Sequence, residues 1–509
     1  MLDELPALIA QGYEQIDEED IVRLKWWGLY HDKPKIGTFM LRVKIPGGIL
    51  APAQLRAIGE LSNEHGRESG ELSTRQNVQL HFIELHALPA VFERLHGVGL
   101  TSAGACGDTV RNITGCPVAG VAHDELFDVT PILREAADFF YGNPDYSDLP
   151  RKHKIAITAC PDACAAPEIN CVGLIGALRD GEEGFGVVVG GGLSSVPRVA
   201  RELGIWVPKD EAVEVLAAIL DEWRADLRYR VSRVKARLKF MIDDIGPEGM
   251  RERVEARLGR TFDDFRLPPL PAPTNHLGIR RQRDGRSYVG VPIHLGLVSG
   301  DQMIALADLA EDAGGDIRIT RQQNLVLTNV SDDRLDEVRE RLEQIGLPLD
   351  AGALRGDAVA CTGEPHCNFS VTETKTRMDA LVQLLEKRFG HDADGLRMHL
   401  DGCPHACAQH WVGDLGFQGT TVRDAAGRRR QAYDIYLRGS LDRPAAIARA
   451  VFRRVPTEEL DDAVAGLVGG WVAGRAEGET FRSFCDRSSD DELAQLAGRE
   501  AHQRGNRAA

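Results

Sequence analysis

The sequence predicts an α+β protein built from two similar halves, which would give the molecule an approximate twofold axis. The first observation is a repeat, because three segments of the first half recur in the same order in the second half. The pairs are residues 73–81 with 319–327, 107–116 with 356–367, and 157–165 with 400–408. A repeat of roughly 200 residues is too long for a solenoid and indicates that a whole unit was duplicated.

The second observation is that strand and helix patterns are mixed along the chain. Residues 39–45 and 186–189 have the pattern of strands, and residues 212–223 and 334–345 carry helical periodicity. Between the halves, residues 267–275 contain four prolines. Proline lacks a backbone donor and stiffens an extended chain, so this run is predicted to be a linker.

Composition and charge exclude several classes of function. The formal net charge is −16 at pH 7, which argues against a nucleic-acid-binding protein, since such proteins usually show a basic balance. No stretch approaches the roughly 18 to 20 apolar residues that a membrane helix needs. The first residues are acidic and lack the basic and apolar regions of a secretory signal. We therefore expect a cytoplasmic protein with no nucleic-acid or membrane partner.

The ten cysteines are too sparse for a disulfide scaffold in a chain of 509 residues, and they are bunched. Five residues separate Cys361 from Cys367, and three separate Cys403 from Cys407. Four thiolates are what a four-iron, four-sulfur cluster requires, one for each iron. Structural zinc sites favour tighter pairs, so zinc is the weaker alternative, and inert buried cysteine is weaker still.

Five further motifs accompany the cysteine spacings, at residues 41–48, 73–77, 110–112, 149–154 and 189–194. Together they resemble the ferredoxin-type nitrite and sulfite reductase family, from about Leu24 to about Phe484. The resemblance implies sirohaem coupled to a 4Fe-4S cluster, with the cluster held by Cys361, Cys367, Cys403 and Cys407. It also implies that Cys407, the last of the four, bridges the cluster and the sirohaem iron.

The resemblance further implies the internally duplicated, pseudo-twofold fold of the nitrite/sulfite reductases. Each half would have a smaller ferredoxin-like portion and a larger sirohaem-binding portion. The predicted domains are a ferredoxin-like half-domain at 1–100, a sirohaem-binding α+β domain at 101–266, the linker at 267–275, a second ferredoxin-like half-domain at 276–346, a domain for the 4Fe-4S cluster and sirohaem at 347–485, and a polar, frayed tail at 486–509.

Sirohaem carries eight carboxylates, and burying it beside an anionic substrate requires fixed cations. The substrate-facing positions of the family match four basic residues of this chain, Arg42, Arg111, Lys152 and Lys154. Arginine keeps its proton at working pH, so Arg42 and Arg111 are predicted to hold substrate oxygens. Buried lysine releases protons more readily, so Lys152 and Lys154 are predicted to protonate the oxygens that leave as water.

The resemblance places contacts to the macrocycle at five residues besides Cys407, namely Ser73, Arg75, Gln79, His81 and Arg151. Taken singly, each of them is more often a surface or strand-edge polar residue; their joint occurrence at family positions favours the cofactor role. Glu71 stands where some relatives carry arginine. One contact to a macrocycle carboxylate is therefore expected to be absent.

Part of the cysteine quartet recurs in the first half as Cys116, Cys160 and Cys164, with Cys106 nearby in the sequence. In the alignment of the two halves, Arg111 falls near the place of Cys361. A second metal site is one interpretation, and thiols left over from the duplication are the other. We expect the second, because a misplaced fourth ligand breaks the geometry of a cluster.

The glycine run at 190–192 does not have the G-x-G-x-x-G spacing of a dinucleotide site, and no flavin or nicotinamide domain is evident. Electrons are therefore expected from a separate, ferredoxin-like donor.

The predicted function is six-electron reduction of a small oxyanion. Sulfite-selective family members usually carry lysine at both lysine positions of the Arg-Lys-x-Lys motif, as Lys152 and Lys154 do here, which predicts sulfite as the preferred substrate. Nitrite is the alternative, because residues 26–31 and 112–120 are more similar to nitrite-reducing relatives. Remoter alternatives are a relative that modifies tetrapyrroles in corrin synthesis and a non-catalytic metal-binding protein.

Overall fold

Twenty strands form four five-stranded sheets in the part of the chain that this computed structural model describes, residues 2–500. The chain divides into two compact units. The first unit extends to Leu349, apart from two short segments. The second unit contains those segments, 193–197 and 294–296, and the residues from Asp350 onward. Residues 501–509, the end of the predicted tail, lie outside the described residues.

The first unit contains three of the sheets and ten of the helices. Its strands are β1 Leu29–His31, β2 Thr38–Val43, β3 Ile49–Leu50, β4 Ser69–Leu72, β5 Val78–Glu84, β6 Thr114–Gly115, β7 Ile155–Thr158, β8 Val172–Arg179, β9 Glu182–Val189, β10 Arg201–Pro208, β11 Gly278–Arg281, β12 Ser287–Val291, β13 Leu297–Ser299, β14 Ile317–Ile319 and β15 Leu325–Val330. Its helices are α1 Leu5–Gln11, α2 Glu18–Leu24, α3 Pro52–His65, α4 Leu88–Gly97, α5 Thr130–Phe140, α6 Ala212–Ala225, α7 Arg228–Val231, α8 Leu238–Leu258, α9 Gly300–Ala313 and α10 Leu335–Gln344.

Two sheets of the first unit exchange a strand with each other. One has the order β1-β2-β5-β4-β13, and the other has the order β11-β12-β15-β14-β3. Helices α3 and α9 pack so closely that a Cβ atom on Gly59 would lie 2.7 Å from the carbonyl oxygen of Gly300. The two sheets and these helices enclose one apolar core. The two sheets therefore fold as one body.

The third sheet of the first unit has the order β10-β9-β8-β7-β6. β6, β7 and β8 run parallel, whereas β9 and β10 are antiparallel additions. β7 and most of β8 are buried on both faces, which is typical of parallel strands. Helices α6 and α8 contact this sheet and bury apolar side chains in its core, including the fully buried Trp223.

The second unit repeats the third sheet. Its strands are β16 Val359–Ala360, β17 Met398–Asp401, β18 Leu415–Arg423, β19 Arg429–Leu437 and β20 Arg449–Pro456. They are paired in this order, with the same sequence of parallel and antiparallel neighbours as in the first unit. Its helices are α11 Ala353–Asp357, α12 Lys375–Phe389, α13 Thr457–Gly474, α14 Phe481–Arg487 and α15 Asp490–Leu496. This agreement between two sheets confirms the predicted duplication and the α+β class.

The segments with clear periodicity are also confirmed. The predicted strands at 39–45 and 186–189 lie in β2 and β9, and the predicted helices at 212–223 and 334–345 lie in α6 and α10. The proline-rich run at 267–275 contains neither helix nor strand. None of the described helices is long and apolar enough to cross a membrane.

The predicted frayed tail is wrong for residues 490–496, which form α15. Ser489 begins this helix with a capping box, in which its hydroxyl accepts from the amide of Glu492. Leu493 is fully buried in the core of the second unit. The segment is mostly polar in composition, but its helix has one apolar face, which packs against the core of the second unit.

Candidate functional site

The two cysteine pairs of the quartet follow neighbouring strands of the fourth sheet. β16 and β17 run parallel and pair Ala360 with Leu400. Cys361 comes directly after the first strand, and its amide donates to the carbonyl of Leu400 at 3.1 Å. The loop with Cys403 and Cys407 follows the second strand. Because the carboxyl ends of parallel strands meet at one sheet edge, both thiol pairs lie at the same edge.

The loop that carries Cys403 and Cys407 is fixed by the carboxylate of Asp401, which is 1% exposed. Oδ1 accepts from the amide of Ala408 at 2.7 Å, and Oδ2 accepts from the amide of His410 at 3.1 Å. Oδ2 also lies 2.8 Å from Nδ1 of the same histidine. Sequence reasoning missed Asp401, because the cysteine spacing does not mark the residue that closes the loop.

A glycine lets the two cysteine-bearing segments approach closely. A Cβ atom on Gly402 would lie 1.8 Å from Oγ of Ser370, so a larger residue does not fit without movement. The amide of Gly402 donates to the sulfur of Cys361 at 3.3 Å. Backbone hydrogen bonds of this kind stabilise a thiolate and tune the reduction potential of a cluster.

The four thiols of the quartet influence one another electrostatically. Burial raises the pKa of the Cys361 thiol, and the charges of Asp401, Cys407 and Cys367 raise it further. Burial also raises the pKa of Cys403 to about 12, with Cys407, Asp401 and Cys367 among the other causes. Such thiols release their protons when a metal binds, since the ligand is the thiolate. The quartet therefore fits a cubane cluster, with Cys407 as its exposed member.

In the first unit, Arg42 and Arg111 converge on one backbone carbonyl. Nη1 of Arg42, on β2, donates to the carbonyl of Ala105 at 3.4 Å, and Nη1 of Arg111 donates to the same oxygen at 3.1 Å. Arg111 is also held by the carbonyl of Gly107, at 2.9 Å from Nε and 2.7 Å from Nη2. Two guanidinium groups this close repel each other, and an anion bound between them would relieve the repulsion.

Lys152 and Lys154 are brought to the same region by a parallel bridge between Val110 and His153. The amide of Arg111 donates to the carbonyl of His153 at 2.9 Å. The amide of Lys152 donates to the carboxylate of Asp108 at 3.1 Å. The four predicted substrate cations, Arg42, Arg111, Lys152 and Lys154, thus lie on three adjoining segments of the first unit.

Two residues that the sequence did not single out, Arg237 and Lys239, add buried positive charge. Nη2 of Arg237 donates to the sulfur of Cys171 at 3.2 Å, and Nζ of Lys239 donates to the carbonyl of Gly192 at 3.4 Å. Burial, together with the charge of Arg237, lowers the pKa of Lys239 to about 8. No motif marks these two residues, because folding alone carries the start of α8 to this place.

Arg75, a predicted macrocycle contact, joins them in what we call the inner basic cluster, which consists of Arg75, Arg237 and Lys239. Burial lowers the pKa of Arg75 to about 10, and the charges of Arg111 and Arg237 contribute to the shift. The Nε atoms of Arg75 and Arg237 are buried and have no hydrogen-bond partner among the described residues. Buried cations with unused donors fit a ligand that carries many carboxylates.

Ser73 and Arg151 are engaged by other protein groups. Oγ of Ser73 accepts from the amides of Arg75 and Asn77 at 3.3 and 3.2 Å, which closes the turn before β5. Nη1 of Arg151 donates to the carboxylate of Asp108 at 2.7 Å. Their contact with a macrocycle stays a prediction.

Gln79 and His81 belong to a chain of polar side chains that ends on Arg42. Nδ1 of His81 lies 2.7 Å from the carboxylate of Asp32, and Nε2 lies 3.5 Å from that of Glu71. Nε2 of Gln79 donates to Glu71 at 3.2 Å. Oε1 of Gln79 accepts from Nε and Nη2 of Arg42 at 2.9 and 2.7 Å. We infer that Glu71, Gln79 and His81 position this arginine.

Protonated His81 should stabilise the fold in neutral solution. Burial opposes its charge, but hydrogen bonds to Asp32 and Glu71 outweigh burial and raise its pKa from 6.5 to about 9. The stabilisation is therefore complete below about pH 6.5 and is lost as the pH rises through about 9. We therefore expect the free energy of unfolding, measured in urea, to be lower at pH 9 than at pH 6.5. This decrease should be about 2 kcal/mol larger in the wild type than in His81→Gln.

The control for this experiment is His86→Gln. It changes an exposed histidine that lies two residues beyond the end of β5. This variant should keep the pH dependence of the wild type. If His81→Gln keeps it as well, the contacts of His81 with the two carboxylates do not produce the effect.

The sheet register corrects the alignment of the first-half cysteines. The matching strand pairs are Gly115 with Ile157 in the third sheet and Ala360 with Leu400 in the fourth. Cys116 comes directly after Gly115, so it occupies the place of Cys361 and not that of Cys367. Arg111, which the sequence alignment placed near Cys361, lies five residues earlier.

Two family models match the chain. The one described as the nitrite and sulphite reductase 4Fe-4S domain matches residues 106–262. The one described as the nitrite/sulfite reductase ferredoxin-like half domain matches residues 31–98 and 280–345. The half-domain matches fall on the two sheets that exchange strands, and the 4Fe-4S-domain match covers the third sheet.

Similarity to individual proteins extends over nearly the whole chain. The sulfite reductase (ferredoxin) of Mycobacterium tuberculosis is 38% identical over 510 residues, which cover 95% of this chain and 91% of the relative. The assimilatory ferredoxin-dependent nitrite reductase of Haloferax mediterranei is 35% identical over 531 residues, covering 97% and 90%. A solved structure of the Mycobacterium tuberculosis NirA protein matches with a TM-score of 0.92 at 37% identity, covering 97% of this chain and 94% of that one.

Proposed function

Because the chain belongs to the nitrite and sulfite reductase family, we propose that it reduces sulfite to sulfide with electrons from a ferredoxin-like protein. The observation that carries the proposal is the arrangement of Arg42, Arg111, Lys152 and Lys154 on adjoining segments. Reduction of nitrite to ammonia is the second candidate, because the Haloferax mediterranei relative is a nitrite reductase.

The cofactors of the family are sirohaem and a 4Fe-4S cluster. When bound, they supply electrons one at a time at low potential. The quartet of Cys361, Cys367, Cys403 and Cys407 would hold the cluster, with Cys407 as the bridging thiolate. Within the inner basic cluster, Arg75 and Arg237 would bind carboxylates of the macrocycle through their unused Nε donors.

The basic residues of the first unit would bind the anion and supply its protons. Conversion of sulfite to hydrosulfide consumes six electrons and seven protons and releases three molecules of water. Arg42 and Arg111 would hold substrate oxygens, because a guanidinium group stays charged and donates in pairs. Lys152 and Lys154 would each donate a proton from Nζ to an oxygen and then take another from water.

The number of cations favours sulfite over nitrite. Sulfite is partly a dianion near neutral pH and has three oxygens to protonate, whereas nitrite is a monoanion with two. A fourth cation therefore stabilises sulfite more than nitrite, since the Coulomb energy scales with the charge of the anion. Lys154 is that additional cation.

We place the protein in the cytoplasm with a separate electron donor. No disulfide joins any of the ten cysteines, all of which lie in the described part of the chain, and reduced thiols persist in a reducing compartment. The relatives from Mycobacterium and Haloferax are named for ferredoxin, which supports a donor of that class.

Steady-state turnover of both anions by the fully loaded protein tests the proposal. With a reduced ferredoxin as donor, kcat/KM for sulfite should exceed kcat/KM for nitrite, and sulfide should be the product. Turnover of nitrite far above that of sulfite would assign the second candidate instead. A loaded protein that reduces neither anion would exclude both.

A further inference from the structure

Three cysteines of the first unit form a compact buried group, the thiol trio of Cys116, Cys160 and Cys164. Their sulfur atoms all lie within 4.8 Å of one another. The sulfurs of Cys116 and Cys164 are 3.6 Å apart. Cys116 follows β6, and the other two follow β7. The trio thus repeats three places of the quartet, in a second sheet of the same topology.

A histidine from just beyond the proline-rich run lies against one thiol of the trio. Nε2 of His276 lies 3.0 Å from the sulfur of Cys164, and this side chain is 2% exposed. Its other ring nitrogen, Nδ1, lies 3.3 Å from the hydroxyl of Tyr288. Metal-binding histidines usually have such an outer partner, which fixes the tautomer and the orientation of the ring.

The backbone of His276 is held in an unusual conformation. Its φ is 57°, in the left-handed region that residues other than glycine rarely adopt. A Cβ atom on Gly290 would lie 1.8 Å from the carbonyl oxygen of His276. The backbone of His276 thus fits against β12 only because residue 290 has no side chain. Strain of this kind persists where the surroundings enforce it, and it is concentrated at functional positions.

We propose that Cys116, Cys160, Cys164 and His276 bind a single zinc ion in a tetrahedral site. Three cysteines and one histidine are a common ligand set of structural zinc. With Zn–S bonds of about 2.3 Å, tetrahedral geometry separates two sulfurs by about 3.8 Å. The 3.6 Å between Cys116 and Cys164 is close to this value.

A second iron–sulfur cluster fits the trio less well than one ion. A cubane places irons and sulfides between its thiolates, which holds them further apart than a single metal does. Cys367 lies six residues after Cys361, and the residue six positions after Cys116 is Ala122, so no thiol stands at that place. Cys106 does not replace it, because among the described residues its sulfur is not within 4.8 Å of all three thiols of the trio. The proposed zinc site therefore differs from the metal-free thiols that the sequence analysis expected.

The zinc ion would connect two parts of the first unit that are distant in sequence. The trio belongs to the third sheet, and His276 precedes β11 of a strand-exchanging sheet. Nε of Arg321 donates to the carbonyl of Cys164 at 3.3 Å, which places a cation beside three thiolates. An ion at this place would be structural, because it would hold these two parts together and none of its four ligands is a residue assigned to the anion.

The metal content of the full-length, cofactor-loaded protein tests this inference. Mass spectrometry of a sample purified without a histidine tag should find about one zinc per chain in addition to iron. X-ray absorption at the zinc edge should show three sulfur ligands and one nitrogen. The double variant Cys160→Ser/Cys164→Ser should lose the zinc and keep its iron content and sirohaem absorption. Cys485→Ser, which changes another buried cysteine, should keep all three.

His276→Gln provides a gentler variant if the double variant does not accumulate. In competition with a chelator, its affinity for zinc should be at least tenfold lower than that of the wild type. The inference is overturned if the wild type contains no zinc and takes up none when Zn²⁺ is added. It is equally overturned if the double variant loses about four irons, or if thiol titration finds a disulfide within the trio of the purified protein.

Discussion

Cys403→Ser should remove the signals of both cofactors from the purified protein. A serine oxygen is a poor ligand for cluster iron, and thiolate ligation is what holds such a cluster. Cys403 also shares the loop fixed by Asp401 with Cys407, the predicted bridge to sirohaem. We therefore expect iron to fall to background, the visible absorption of sirohaem to disappear, and turnover of either anion to stop.

The matched control is Cys485→Ser, which also removes a buried thiol from the second unit. It should keep its iron and its absorption, because Cys485 packs among apolar side chains of the core. A Cys403→Ser protein with full cluster iron and a normal sirohaem band would exclude the quartet as the ligand set.

Lys154→Asn should change the choice between the two anions. The substitution removes the cation that we assign to sulfite and leaves Arg42, Arg111 and Lys152 in place. The ratio of kcat/KM for sulfite to kcat/KM for nitrite should shift toward nitrite by tenfold or more, which is about 1.4 kcal/mol. Steady-state assays of the loaded variant with both anions measure this ratio directly.

Lys235→Asn removes a lysine from an exposed position of the same unit and serves as the control for net charge. Its ratio should equal that of the wild type, since the charge of an exposed lysine is screened by salt. If Lys154→Asn leaves the ratio unmoved as well, Lys154 does not select the substrate.

The fold could be predicted from the sequence wherever the spacing of apolar residues in a segment matches the face that the folded protein buries. The strand at 39–45 and the helix at 212–223 carry periodicities that tertiary packing preserves. α15 was missed because its buried face consists of little more than Leu493 and Ala494 in a charged segment. The exchange of β3 and β13 leaves no mark in the sequence, since short strands gain their partners only on folding.

The residues of the candidate site fall into the same two groups, those that a sequence pattern marks and those that only folding brings together. The cysteine quartet was found because its ligands come in two closely spaced pairs. Arg237 and His276 were missed because each reaches its partners from a distant part of the chain. The equivalence of Cys116 and Cys361 needed the sheet register, since loops of different length obscure it in an alignment.

The exchange of β3 and β13 constrains how the two ancestral copies could evolve. Each ferredoxin-like sheet has an edge strand that belongs to the other copy, so damage to one sheet leaves both incomplete. Selection must then have acted on these two portions jointly. The third and fourth sheets share no strand in the part of the chain that the structure describes, and each could acquire mutations without harming its counterpart. The fourth sheet carries the four thiols of the quartet, whereas the third carries the three thiols of the trio.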